Sequence, residues 1–260
     1  MKRHASIAAL LFASLLSSCG KDSVPDLTGP FPNARIRFFN FGVNAPGVNF
    51  YANTAKMTAI SPATPGVEST TGIAYGGVGA GGAYSAIAPG QYTLTGKIAA
   101  ATDKDLAIST VATTIADAKF YSFYMSGFYD ATAKTVEGFV VEDPFVEPTD
   151  FTVATVRFVH AISNANPMTL YAKSTTTGTE VAVGVEIAYK GAGTFTALPA
   201  GAYDLSTRYT GLSTNALARP GVSFLGGRVY TITARGDITA ASSATCGSTN
   251  KTCLDNTANR

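Results

Sequence analysis

The fold is decided by a stretch that occurs twice: Ala34–Ala52, ARIRFFNFGVNAPGVNFYA, and Ala154–Ala172, ATVRFVHAISNANPMTLYA. The two segments agree at seven of nineteen positions without a gap. In the first segment Ile36 and Phe38 alternate with arginines, and the second segment has valine and phenylalanine at the same places. This period of two is typical of a strand with one buried face. The chain is therefore predicted to contain two copies of one β domain.

The match between the copies continues along the chain. Three further pairs of segments align: Ile73–Tyr75 with Ile187–Tyr189, Pro89–Leu94 with Ala200–Leu205, and Phe120–Phe123 with Val229–Ile232. Short alternating runs separated by Gly, Pro and Asn are typical of a β-sandwich. We place the first copy at 34–142 and the second at 152–239, with an acidic, proline-broken linker at 143–151. Each copy is expected to fold independently, and 240–260 is expected to be a C-terminal tail.

These repeated residues resemble a known family. The R-x-R-F opening followed by Asn-Ala, the F/L-Y-A strand, the Ala-Tyr pair and the turn before Tyr92 and Tyr203 resemble the bacterial domain-of-unknown-function family numbered 4397. The resemblance implies an all-β protein with two tandem immunoglobulin- or transthyretin-like β-sandwich domains in an exported, often lipid-anchored chain. It implies no reaction and no catalytic residues. The first copy departs from the usual opening, with Asn40-Phe41 where the second has His160-Ala161.

The start of the chain has the layout of an export signal. Lys2 and Arg3 precede the uncharged stretch 5–16, which is too short to span about 30 Å of hydrocarbon. Leu16-Ser17-Ser18-Cys19 then resembles a bacterial lipobox. We predict that 1–18 is a lipoprotein signal peptide, Cys19 the lipidation site and 19–33 a tether. The alternative is an ordinary cleavage site beside a stray cysteine.

The lipid determines where the protein is expected to reside. Several acyl chains on one cysteine make a stable anchor, whereas a single chain holds only marginally. Gly20 is not the aspartate that would favour retention in the inner membrane. We therefore expect an outer-membrane lipoprotein that faces the periplasm or the cell surface. Its expected partners are the membrane, through the N-terminal lipid, and an envelope protein or glycan.

Composition excludes some classes of function. Removal of 1–18 takes Lys2 and Arg3 from the 19 basic side chains and leaves 17, against 17 acidic ones. A neutral body without a basic cluster lacks the electrostatic footprint of a nucleic-acid-binding protein. The mature chain also has a single histidine, His160. Because general acid–base groups are so scarce, we expect neither an enzyme nor a bound cofactor.

Cys246 and Cys253 remain after lipidation of Cys19. Two cysteines close in sequence in an oxidising compartment favour a disulfide. A zinc site is the alternative, but zinc takes about four ligands and the tail offers two thiols and no histidine. We predict the disulfide and no metal site.

Several other motifs favour structural roles over chemical ones. The G-x-G-x-x-G pattern at 77–82 is not followed by a helical segment, so a strand connection is favoured over a dinucleotide site. The parity of His160 favours a buried structural side chain over a catalytic base. The pairs Asp103/Asp105 and Glu142/Asp143 are interpreted as solvated loop charges rather than acid–base or calcium groups. Tyr92 and Tyr203 are interpreted as sandwich-corner tyrosines rather than sugar platforms.

Two regions are the candidates for binding. An aromatic strand holds Tyr121, Phe123, Tyr124, Phe128 and Tyr129, some of which are expected to be exposed because alternate residues face opposite ways. The first copy is eleven residues longer than the second between matched positions, and six of these lie in a loop that contains Met57 and Ile60. We predict a lipid-anchored, extracytoplasmic, non-catalytic interaction or structural module. The alternative is a carbohydrate- or peptide-binding accessory protein of surface nutrient capture.

Overall fold

The computed structural model describes residues 33–59, 67–247 and 252–260. The first copy contains β1 (Ala34–Val43), β2 (Val48–Ala52), β3 (Ala55–Lys56), β4 (Gly77–Val78), a 3-10 turn (Gly79–Gly82), β5 (Ser85–Ile87), β6 (Gly90–Ile98), β7 (Ala107–Ile115), β8 (Phe120–Asp130) and β9 (Thr135–Glu142). The second copy contains β10 (Val153–Ala161), β11 (Met168–Ser174), β12 (Glu180–Ile187), β13 (Thr196–Pro199), β14 (Gly201–Tyr209), β15 (Leu217–Phe224), β16 (Val229–Gly236) and β17 (Thr252–Ala258).

Each copy is a sandwich of two sheets. In the first copy the outer sheet has the order β3-β2-β6-β7, and the inner sheet has the order β4-β1-β8-β9, with β5 also paired to β1. In the second copy the outer sheet has the order β12-β11-β14-β15 and the inner sheet β13-β10-β16-β17. The opening strand of each copy runs parallel to its neighbour, β1 to β8 and β10 to β16. The predicted all-β sandwich class is confirmed.

The two cores follow from the alternation in the opening strands. Ile36 and Phe38 are fully buried and face the first core with Phe50 and Phe123. The second core is built from the corresponding side chains of β10, β11, β14 and β16. Burial of one large apolar side chain contributes about 1.5–3 kcal/mol, so each sandwich has its own hydrophobic core.

The inner sheets are buried on both faces. Phe39 and Phe41 point away from the first core, and they pack with Tyr124 and Phe139 against Val159 and Ala161 of the second copy. The four sheets therefore stack in the order outer, inner, inner, outer, and residues 32–260 cluster as one compact unit. A sheet covered on both faces is apolar on both. The contact between the copies is thus a third hydrophobic layer.

Two expectations about the ends of the copies need correction. Asp143, predicted to be a solvated linker charge, is only 1% exposed, because it lies between the two inner sheets. The segment 240–260, predicted as a tail, contains β17, which pairs antiparallel with β16 along its whole length. In the part of the chain that is described, no helix is long and apolar enough to cross a membrane.

Candidate functional site

The most concentrated polar chemistry in the described residues lies between the two inner sheets. Arg37, Arg157 and Asp143 are each 1% exposed there. Arg157 Nη2 pairs with Asp143 Oδ1, and Arg37 Nε lies 3.9 Å from Asp143 Oδ2. Ser122 Oγ donates a hydrogen bond of 2.6 Å to the same Oδ2. The single carboxylate of Asp143 therefore lies against a guanidinium from each copy.

The two arginines make equivalent contacts across the interface. Arg37 Nη1 donates to the carbonyl oxygen of Ala258 in the second copy at 3.0 Å. Arg157 Nη1 donates to the carbonyl oxygen of Glu142 in the first copy at 2.9 Å. Glu142 and Ala258 both end the last strand of their copies. The interface therefore has approximate two-fold symmetry, with each copy capping the other, as in an isologous dimer.

The surroundings of each arginine are equivalent as well. The guanidinium of Arg37 stacks 4.6 Å from the ring centre of Tyr84, and that of Arg157 stacks 4.7 Å from Phe195. The Nε atoms donate to matching hydroxyls, Ser122 at 3.0 Å and Thr231 at 3.1 Å. Buried guanidinium groups need both hydrogen bonds and counter-charge to offset the loss of hydration. Both halves supply the ring and hydrogen bonds to Nε and Nη1, whereas Nη2 of Arg157 pairs with Asp143 and the buried Nη2 of Arg37 has no hydrogen-bond partner among the described residues.

The symmetry is broken at the position that carries the charge. Where the first copy has Asp143 after β9, the second has Asn259 after β17, which accepts from Thr231 Oγ1 at 2.7 Å. Asn259 Nδ2 donates to the Tyr84 hydroxyl at 2.9 Å, and that hydroxyl donates to Asp143 Oδ2 at 2.5 Å. Burial, together with the nearby carboxylate, raises the pKa of Tyr84. The phenol therefore stays protonated and links the end of the chain to the first copy.

The repeated Ala-Tyr pair forms the rim of the interface. Tyr189 of the second copy donates to Glu137 Oε2 at 2.9 Å and lies 3.0 Å from Ser126 Oγ, both in the first copy. Lys190 Nζ is 2.9 Å from Glu137 Oε2, and this contact holds the pKa of Glu137 below its usual value. On the equivalent side the Arg235 guanidinium stacks 4.9 Å from the Tyr75 ring. Both tyrosines thus reach across to the other copy.

The predicted aromatic binding strand is mostly interior. Tyr121 (7% exposed) and Phe123 (0%) face the first core, and Tyr124 (0%) lies in the layer between the copies. Both faces of β8 are covered because a second sandwich packs on the face that would be solvated in an isolated domain. Tyr129 packs partly against the first core, and only Phe128 has a substantially exposed ring, at 43%. The expectation of an exposed aromatic face is therefore wrong for Tyr121, Phe123 and Tyr124.

The lengthened loop of the first copy is tied to the sandwich where it is described. Met57 packs partly against the first core, and its amide donates to the carbonyl oxygen of Phe50 at 2.8 Å. Lys56 and Glu68 form an ion pair of 2.9 Å across the loop. Ile60 lies outside the described residues. Met57 is thus a partial core residue, not a free apolar contact at the tip of a loop.

The cysteines divide into two groups. The predicted disulfide between Cys246 and Cys253 is present, with Cα atoms 5.7 Å apart, and it links the start of β17 to the segment before it. Asp255 completes a group of three potential metal ligands with these cysteines, but its Oδ2 accepts from Arg235 Nε at 2.8 Å. The bonded sulfurs and the paired carboxylate therefore serve structure in the oxidised protein. Cys19 lies outside the described residues.

The remaining chemical candidates also have structural contacts. His160 is fully buried, its Nδ1 accepts from the Ile162 amide at 3.2 Å, and burial lowers its pKa. Asp103 pairs with Lys134 at 2.7 Å at the surface. The glycine pattern at 77–82 forms a short strand and a 3-10 turn that leads into β5 without a following helix. Val78 of the glycine pattern packs in the apolar layer between the copies, and the Lys190 amide at the interface rim donates to the His160 carbonyl oxygen at 2.9 Å.

The corner tyrosines are where sequence reasoning placed them. Tyr92 donates its hydroxyl proton to the Ala88 carbonyl oxygen at 2.9 Å, and Tyr203 does the same to Pro199 at 2.8 Å. Beside each tyrosine lies a hollow of about 450 Å³ and about 420 Å³, respectively. Asn53 and Gln91 line the first hollow, and threonines and Val181 line the second. The hollows differ in polarity, so they do not define one repeated ligand chemistry.

The sequence did not predict the charged interface, which consists of Arg37, Arg157 and Asp143 between the two inner sheets. Arg37 and Arg157 stood at the same place in both copies, but an arginine that alternates with core residues is ordinarily solvated in an isolated sandwich. Asp143 stood among prolines and acidic residues, which favour a linker. The only available signal was the apolar character of both faces of β1 and β8.

Two of the solved structures that resemble the chain were compared with it. The TIE protein of Bacillus anthracis is 15% identical, with a TM-score of 0.23, and the match covers 77% of this chain and 32% of that one. This chain thus spans about a third of that protein. A "putative cell adhesion protein" from Bacteroides ovatus is 12% identical, with a TM-score of 0.24, and the match covers 89% and 97%. No curated protein matches the chain.

One family model matches most of the sequence. It is described as a domain of unknown function, DUF4397, and it matches residues 34–171 and 154–253. The two matches overlap at β10 and β11, which belong structurally to the second copy. Together they cover both sandwiches and reach the start of β17. The chain therefore belongs to the DUF4397 family, of which it carries two copies packed through their inner sheets.

Proposed function

We propose that the protein is a lipid-anchored, extracytoplasmic, non-catalytic interaction or structural module of the bacterial cell envelope. The observation that carries the proposal is how the chain uses its buried ionisable groups. Arg37, Arg157 and Asp143 all serve the contact between the copies, where they hold one copy against the other. Such an arrangement supports a rigid display body and not a reactive centre.

The proposed location rests on the sequence before the body. The Leu16–Cys19 motif follows a short apolar segment with a basic start, which is the layout of a lipoprotein signal. The disulfide between Cys246 and Cys253 supports an oxidising compartment, where such bonds persist. Both observations favour export. The outer membrane is the proposed address because Gly20 follows Cys19.

Metabolic labelling with a fatty acid tests the anchor. The wild-type protein should be labelled and should fractionate with outer membranes, whereas Cys19→Ala should be unlabelled. The double variant Cys246→Ala/Cys253→Ala is the matched control, because it loses two cysteines and keeps Cys19. Equal labelling of wild type and Cys19→Ala would overturn the proposal.

The alternative of a carbohydrate- or peptide-binding accessory protein rested on exposed aromatic side chains. Three of the five candidates on β8 are buried, and Tyr129 is half-buried against the first core. Aromatic platforms must be accessible to stack on a ligand. The structure therefore gives no specific support for a second proposed function.

A further inference from the structure

Both copies begin at the same end of the body. Arg37, near the start of β1, contacts Ala258, which pairs with Tyr230 at the start of β16. Since β16 runs parallel to β10, the starts of β1 and β10 lie side by side. We call this end the base and define it by the start of β1, the segment 143–152 and Arg260. The chain that follows Cys19 enters the body at the base.

The base has three strongly exposed apolar side chains. Val146 is 82% exposed, Phe151 is 76% and Leu225 is 61%. The Phe151 ring lies directly over Gly227, where an added Cβ would be 2.4 Å from Phe151 Cδ1, so it is close to Leu225 in space. A cleft of about 510 Å³ beside Val146 is lined by Phe195 and the prolines at 144 and 148, and also by Glu147 and Asp150. Exposed apolar groups gathered at one end mark an interaction surface.

The predicted tether, residues 19–33, indicates that the base faces the membrane. Only fifteen residues, 19–33, lie between the predicted lipid and β1, and fully extended they span at most about 50 Å. The base is the end to which they attach. The charges near it include ion pairs, Lys119 with Glu142 at 2.8 Å and Arg260 with Glu147 at 2.6 Å. Arg228 is exposed near Leu225 and Asp150 is exposed next to Phe151, so these two charges offset each other and the apolar side chains carry the argument.

We propose that the base rests on the lipid surface in which the protein is anchored, with Val146, Phe151 and Leu225 inserted at the boundary between headgroups and acyl chains. This rests on the proposed function, because the anchor at Cys19 brings the base to the membrane. Apolar side chains at such a boundary contribute in proportion to their buried area. The lipid and the base then act as two attachments, which orient the body with its opposite end away from the membrane.

Single tryptophans test the orientation, because the sequence contains no tryptophan. Phe151→Trp and Leu225→Trp place the probe at the base. Phe128→Trp and Leu212→Trp are the controls, since Phe128 (43% exposed) lies near the far end of β8 and Leu212 (55%) follows the far end of β14. The full lipidated chain is reconstituted in vesicles of phosphatidylethanolamine and phosphatidylglycerol that contain brominated phosphatidylcholine. The base probes should lose emission to the bromines and shift to the blue, and the control probes should not.

The outcomes separate this proposal from the anchor. Vesicle flotation and fatty-acid labelling of each variant report the anchor independently of the probes. Flotation without quenching at either base position, or equal quenching at all four positions, would overturn the membrane-facing base and leave the anchor intact. Emission from the base probes that depends on protein concentration and not on brominated lipid would assign the surface to a second copy of the chain, which also overturns the proposal. Absence of both labelling and flotation would overturn the anchor itself.

Discussion

The two halves of the buried interface share a scaffold and differ in charge. In one half Arg37 stacks on Tyr84 and bonds to Ser122, and in the other Arg157 stacks on Phe195 and bonds to Thr231. The residue after the last strand is Asp143 in the first copy and Asn259 in the second. Thus, in the described part of the chain, these two buried guanidinium groups share the carboxylate of Asp143.

This difference shows that Asp143 and Asn259 have different roles in the interface. Asn259 gives the second half a neutral acceptor, which satisfies a hydroxyl without adding charge. Asp143 accepts from two hydroxyls, those of Ser122 and Tyr84, and also places a negative charge beside the arginines of both halves. Removal of a neutral hydrogen-bonding group costs about 1–3 kcal/mol, whereas removal of one partner of a buried ion pair costs about 3–5 kcal/mol. Equivalent substitutions in the two halves should therefore lower the free energy of unfolding by different amounts.

The largest effect is expected from Asp143→Ala. It leaves both guanidinium groups without their carboxylate, so the free energy of unfolding should fall by about 3–5 kcal/mol. The matched substitution in the other half, Asn259→Ala, should cost about 1–3 kcal/mol. Denaturant unfolding of the two variants measures the difference. Equal losses would mean that the charge of Asp143 contributes nothing beyond its hydrogen bonds.

The disulfide tests a second contrast between the copies. The last two strands of the first copy are joined by four residues, 131–134, whereas those of the second copy are joined by fifteen, 237–251. The bond between Cys246 and Cys253 shortens that longer connection, and Ala258 ends β17 with Asn259 directly after it. Closing so short a loop contributes about 2.5 kcal/mol on the chain-entropy estimate. Cys246→Ser/Cys253→Ser should therefore lower stability by about this amount.

The Cys246→Ser/Cys253→Ser variant also tests whether β17 depends on the disulfide more than β9 does. Because β17 carries the carbonyl acceptor of Arg37, hydrogen exchange in the disulfide-free protein should increase at β17 more than at β9. The reduced wild type is the control and should match the double variant. Equal protection of both strands after the bond is lost would contradict the role assigned to it.

The next effect concerns Tyr84, which stands where the second copy has Phe195. Tyr84→Phe removes a donor to Asp143 and an acceptor for Asn259, and it should cost about 1–3 kcal/mol. In the Asp143→Ala background the same substitution should cost less, because one of its partners is already absent. A double-mutant cycle measures the coupling. A cost that does not change between the two backgrounds would show that the phenol and the carboxylate act independently.

The smallest effect is at the exposed rim, where Glu137 accepts from Lys190 and Tyr189. Since the folded pKa of Glu137 is lowered, its contribution is present above the ordinary glutamate pKa and is lost as the pH falls through the lowered value. Because Glu137 is partly exposed, its ionisation contributes less than about 1 kcal/mol to the free energy of unfolding. Wild type should exceed Glu137→Gln in stability near neutral pH and equal it at an acid pH below the lowered pKa of Glu137. A difference that persists at acid pH would rule out this ionisation as its source.

Much of the fold could be predicted because its determinants are local. The alternation at Ile36 and Phe38, the corner tyrosines Tyr92 and Tyr203 and the spacing of Cys246 and Cys253 are each set by neighbours close in sequence. The repeat supplied the copy number directly. Each of these features depends on a period or a turn that a short segment defines.

The interface could not be predicted, because it depends on what covers the far face of each inner sheet. Tyr124 and Arg37 alternate with core residues, so they would be solvated in an isolated sandwich. Asp143 lies in sequence that favours a linker, and only its contacts with the second copy make burial tolerable. The apolar run Phe38-Phe39 is compatible with a strand covered on both faces, but the alternation of Ile36 and Phe38 predicts one buried face, and the sequence does not identify which element packs on the other face.

The sequence predicts that each copy folds independently, whereas the buried interface predicts that the two copies unfold as one cooperative unit. Leu205 is 1% exposed in the second core, far from the first outer sheet, and Leu205→Ala should cost about 2–5 kcal/mol. Pulse-labelled hydrogen exchange along a denaturant series, read by mass spectrometry, can follow β6 and β14 separately. We predict that both strands lose protection at one denaturant concentration in the wild type and that Leu205→Ala shifts both by the same amount. A shift confined to β14, with β6 unchanged, would contradict the account and show that the copies fold independently.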